Sequence, residues 1–109
     1  MEDDKKYQEA FELIMNAGNA RSAAMMAVEA ARNGDFEEAE QCIQNAEKDM
    51  RLAHQSQTDM IQQEALGNSV EVNIILVHAQ DHMTMAIMAI DNAKEFIHLY
   101  RQFQMLQKQ

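Results

Sequence analysis

A chain of 109 residues can bury one hydrophobic core and is too short for two. Its composition, 47% hydrophobic and 25% charged with no Pro, three Gly and ten Met, excludes a disordered chain and lacks helix breakers, so the expected class is all-α. A formal net charge of −9 without a Lys/Arg stripe excludes nucleic acid and anionic lipid as partners, the single Cys42 excludes an internal disulfide, and no segment reaches the roughly 18 apolar residues of a membrane span.

The amino terminus, MEDDKKYQEA, lacks the apolar run of a secretion signal, and the chain reads as cytoplasmic. A first helix is expected over roughly 4–32. Its pattern is uneven: Phe11, Ile14, Met15, Gly18 and Met25 form one stripe, and Ala20, Ala24, Ala27 and Ala31 form a small-residue stripe beside it, where helices could approach closely. Asn33-Gly34-Asp35 ends this segment, with Gly34 suited to a helix C′ position and Asp35 with Glu38 forming a capping pattern for the next helix. A second helix follows over roughly 36–65. There Phe36, Ala39, Ile43, Ala46, Met50, Ala53 and Met60 recur in steps of three and four, with one gap at Gln57. Gly67-Asn68-Ser69 is the second break, and Asn68 with Glu71 repeats the capping logic for a third helix over roughly 70–106. One local conflict stands: Val70 to Val77 suits a strand on propensity alone. The expected fold is an antiparallel three-helix bundle of long helices and short turns, forming a single domain over 1–109.

The third segment carries two apolar faces. Leu76, Ala79, Met83, Ala86, Ile90, Ala93, Ile97 and Tyr100 form a core seam, while Val70, Ile74, Val77, Met85, Met88, Leu99 and Phe103 run along another side. One small bundle cannot bury both, which predicts a homo-oligomer assembled through the third helix. The alternative is that this face completes a loosely packed monomer core.

On the same helix lies Val77-His78-Ala79-Gln80-Asp81-His82. His78 and His82 are one turn apart, and Asp81 falls within the second apolar stripe, where a carboxylate needs pairing, protonation or a metal. Two chemistries fit. A neutral His78 imidazole has a lone pair that can accept a phosphoryl group, with His82 and Gln80 as hydrogen-bond donors to it; Gln80 points elsewhere on its own helix and suits a neighbouring subunit better. Alternatively His78, Asp81 and His82 hold a metal ion in a non-catalytic helical bundle. His54 and His98 read as structural, and Met15, Met25, Met26, Met50, Met60, Met83, Met85 and Met88 as core gap-fillers, with Met85 and Met88 alternatively an adaptable docking surface near His78.

Segments along nearly the whole chain, Ile14 to Ser22, Gly34 to Ala39, Ala53 to Thr58, Ile61 to Ala65 and Val77 to His82, resemble the lactose/cellobiose-type IIA proteins of the phosphoenolpyruvate-dependent sugar phosphotransferase system. The departure is Met83-Thr84, where the family usually has Leu-Met. The resemblance implies a trimer with the third helices around the axis and a phosphotransferase component in which His78 takes a phosphoryl group at Nε2 from phospho-HPr and passes it to the cysteine of a cognate IIB protein. It further implies Gln80 and His82 close to that phosphate and Asp81 at the axis binding a divalent cation such as Mg²⁺. Membrane contact is then indirect, through a IIC component that binds the sugar, whether lactose, cellobiose, chitobiose or another β-glucoside.

Overall fold

The computed structural model describes residues 2–108, with side chains over 7–108. Three helices account for it: α1 (Glu2–Arg32), α2 (Phe36–Ala65) and α3 (Ile74–Gln107), with no strand among the described residues. They form a rod of 62 × 22 × 19 Å. α1 packs along both α2 and α3, whereas α2 and α3 touch far less and leave a groove between them.

Alanine decides how closely the helices pack. Ala17, Ala20, Ala24, Ala27 and Ala31 of α1 are buried against Ala39, Ala46 and Ala53 of α2 and Ala79, Ala86 and Ala93 of α3. Larger buried residues are few, chiefly Leu13, Ile43, Met83, Ile90 and Ile97. Of the two stripes on α1, therefore, the small-residue stripe is the core face. Phe11, Met15 and Met25 of the other stripe lie about three-fifths exposed, as does Met26, so these methionines are not the core fillers that the sequence suggests. The seams of α2 and α3 are core as expected, and Met83 stays buried in its seam at the point where the family pattern is broken. The second face of α3 is uncovered: Ile74 is 87% exposed, and Val77, Met85, Met88, Leu99 and Phe103 are all exposed. It does not complete the core of a single chain. Small residues inside and large ones outside reverse the usual partition, the pattern of a surface that something else covers.

The first turn forms as its residues require. Gly34, at φ +84, takes the left-handed position, the Gly34 and Asp35 amides donate to Ala31 and Ala30, and the Asp35 carboxylate accepts from the Glu38 amide at 3.2 Å. The second turn corrects the sequence expectation. α3 begins at Ile74 rather than at 70, and its cap is Asn73, whose side chain accepts from the Leu76 amide at 2.8 Å. Asn68 cannot cap α3 because it terminates α2: its amide donates to the Gln63 carbonyl and its side chain to Gln63 Oε1, with Gly67 at φ +93. The β-branched Val70 and Val72 then stay outside the helix, which resolves the strand-like run in favour of an irregular connection followed by helix. Asn73→Ala is expected to cost about 1 kcal/mol of stability, and Asn68→Ala about half of that or less, measured by urea unfolding.

Opposite charges face one another across the open side. Glu40 pairs with Arg101 and Glu47 with Lys94, each at 3.1 Å, and Arg101 lies over the Phe36 ring. Both pairs are about half exposed and add little stability, and farther along the same side Gln57 of α2 meets Gln80 of α3. Cys42 is buried, and burial together with its hydrogen bond to Glu38 pushes its thiol up from the ordinary value. It is therefore a packing residue and not a thiolate nucleophile.

Candidate functional site

His78 lies on the second turn of α3, near the end of the rod where α2 finishes. Its ring is exposed, and that of His82 is half-buried one turn on. The two Nε2 atoms are 3.0 Å apart, with ring centroids 4.4 Å apart and planes perpendicular. At that distance one nitrogen carries the proton and the other the lone pair. With His82 as donor, the lone pair belongs to His78 Nε2 and the His78 proton to Nδ1. In that tautomer the one lone pair of His78 Nε2 is held by the His82 N–H, and it is free to act as a nucleophile once that N–H turns away.

The other expected residues divide. Asp81 is exposed on the apolar face of α3, among Ile74, Val77, Met85 and Met88, which are exposed as well. Gln80 is half-buried on the opposite flank, where its Oε1 accepts a hydrogen bond from Gln57 Nε2 of α2. It does not approach His78 of its own chain. Gln57 was marked in the sequence only as the gap in the apolar seam of α2, and that interruption is the signal that identifies it as a polar partner.

The metal-binding alternative finds no support within one chain. Among the described residues no group of three His, Cys, Asp or Glu side chains is disposed to hold a metal ion. His78 and His82 bring their Nε2 atoms to 3.0 Å, but Asp81, the residue before His82, projects about 100° round the helix from it and does not join them. His54 lies apart from this cluster, in the groove between α2 and α3 with Arg51, Asp91 and Lys94. No helix is long and apolar enough to cross a membrane among the described residues.

Comparison with known proteins bears on the same region. The family described as "PTS system, Lactose/Cellobiose specific IIA subunit" matches residues 8–101. A lichenan-specific phosphotransferase enzyme IIA component of Bacillus subtilis is 43% identical over 98 residues, covering 90% of this chain and 89% of that protein. The crystal structure of the cellobiose-specific enzyme IIA of Bacillus anthracis superposes with a TM-score of 0.87 at 43% identity, covering 89% of each chain. The solution structure of the IIA(chitobiose)–HPr complex of Escherichia coli matches with a TM-score of 0.79 at 31% identity, covering 91% of this chain and 96% of that one. A match over nearly the whole chain, in sequence and in fold, makes this protein a member of the lactose/cellobiose-specific IIA subunits, phosphotransferase components of a sugar phosphotransferase system.

Proposed function

We propose that the chain is a phosphoryl carrier that accepts phosphate on His78 Nε2 from phospho-HPr and passes it to the cysteine of a cognate IIB protein. The carrying observation is the exposed His78 ring with its Nε2 held 3.0 Å from His82 Nε2. A bond forms between His78 Nε2 and phosphorus as the bond between phosphorus and the donor breaks, and the donor atom keeps that electron pair. The His82 N–H, which bonds the His78 lone pair before transfer, shifts to an oxygen of the incoming phosphoryl group. Donation to IIB reverses these steps. The relative solved with HPr supports HPr as the donor.

Assembly belongs to the same reading. The uncovered apolar face of α3 supports a homotrimer with the third helices about the axis, where three Asp81 carboxylates would converge. One hard oxygen donor per chain on an otherwise apolar face fits a shared divalent cation such as Mg²⁺, which would neutralise that charge. The sugar binds elsewhere, on a membrane IIC component that this chain meets only indirectly. Relatives named for lichenan, cellobiose and chitobiose accord with that division of labour.

Incubation with phosphoenolpyruvate, enzyme I and HPr is expected to add one acid-labile phosphate per chain, read by intact mass before and after acid treatment. A chain that gains no mass in the complete mixture, while HPr does, would end the carrier reading.

A further inference from the structure

We propose that Gln57 is a positioning residue for phosphoryl transfer, acting through Gln80 on a phosphate carried by a neighbouring copy of the chain; the inference rests on the carrier reading above. Gln57 and Gln80 are both half-buried, and they face one another across a groove of 210 Å³ whose other walls include Met60, Ile61, Glu64, Val72 and Leu76. Both side chains are only partly withdrawn from water, so the contact between them orients them more than it stabilises. Gln57 Nε2 donates to Gln80 Oε1.

This one contact decides which end of Gln80 is presented. A primary amide has its acceptor on one side and its two donors on the other, and its terminal torsion is broadly two-fold, so a free Gln offers either end. With the oxygen held by Gln57, the NH₂ group of Gln80 is turned away from α2. A phosphoryl oxygen is anionic and requires donors, and an amide oxygen turned toward it would repel it.

The phosphate cannot be one on the same chain's His78. At 100° per residue, His78 lies about 60° to one side of Asp81 and Gln80 about 100° to the other. About a threefold axis the contact is heterologous, so one flank of α3 meets the opposite flank of the next copy. The rotation that closes the ring therefore carries His78 of one copy toward the Gln57–Gln80 pair of its neighbour, and each site is complete only in the assembly.

The test compares Gln57→Ala and Gln57→Glu, each alone and combined with Gln80→Ala, in the full chain with phospho-HPr as donor. Rapid-quench kinetics separates kcat from KM, while circular dichroism and sedimentation verify fold and assembly. Gln57→Ala is expected to lower kcat about tenfold with KM little changed, because the amide of Gln80 is then free to turn. Gln57→Glu is expected to lower kcat about 100-fold, because an acceptor at that position draws the NH₂ of Gln80 inward and leaves its oxygen facing the phosphate. In the Gln80→Ala background neither change should have further effect. Equal losses for the two Gln57 variants, or undiminished losses without Gln80, would assign Gln57 to packing alone and overturn the inference. If the native chain is phosphorylated and every Gln57 variant matches its rate, the Gln57 role falls and the carrier reading stands. If the native chain takes no phosphate, both fall.

Discussion

His78→Ala yields a chain that folds and assembles as before and takes up no phosphate from phospho-HPr. The ring is exposed, so its removal should change stability by no more than about 0.5 kcal/mol, and alanine suits a helix better than histidine. Chemistry, by contrast, is lost outright, because no other nucleophile stands in its place. On the proposed reading His82, half-buried, serves as a donor to the phosphate, and Cys42 is buried with its thiol pushed up. His82→Ala is expected to slow transfer by about 10- to 100-fold without abolishing it, because it removes one hydrogen bond to the moving charge and leaves the His78 lone pair free. Intact mass of each variant after incubation with the donor system reads both outcomes. Undiminished labelling of His78→Ala would remove the proposed nucleophile, and complete loss in His82→Ala would assign His82 more than a supporting role.

Asp81→Leu is expected to strengthen the proposed trimer and to free it from divalent cations. If three carboxylates meet at the axis, each copy disfavours the others unless a cation or a shared proton intervenes. Leucine removes that repulsion and extends the apolar face already formed by Ile74, Val77, Met85 and Met88. Full burial of one leucine side chain is worth about 1.5–3 kcal/mol per chain, so the trimer should persist at protein concentrations at least tenfold lower than the native one tolerates. Sedimentation velocity with and without a chelator provides the measurement. The native assembly should weaken when the cation is removed, while the variant should not respond. A variant reduced to monomers would show that Asp81 supports the interface instead of opposing it.

Both predictions rest on residues visible in the sequence, and the reason is local. The third-helix seam repeats every three to four residues and the His78 cluster spans barely one turn, so helix geometry alone brings His78 and His82 together. Gly34 and the Asp35–Glu38 cap acted as expected, because a helix end is built from its own few residues. The start of α3, at Ile74 rather than 70, differs from the sequence expectation for a related reason. Asn68 and Asn73 are both competent caps in sequence, and the choice between them turned on Asn68 being engaged by the end of α2. Phe11, Met15 and Met25 could not be ranked against the neighbouring alanines by periodicity, which reports that a face is apolar without reporting what lies across from it.

Composition and spacing by themselves determined the class, the number of helices, the seams of α2 and α3 and the histidine pair, since each depends on contacts within a few residues along one helix. Tertiary structure alone decided that alanine rather than phenylalanine faces inward on α1, and that Gln57 meets Gln80 across 23 positions of chain. Those outcomes depend on how near one helix axis comes to another. Interaxial distance is set jointly by the side chains of both helices, and no single segment carries that information.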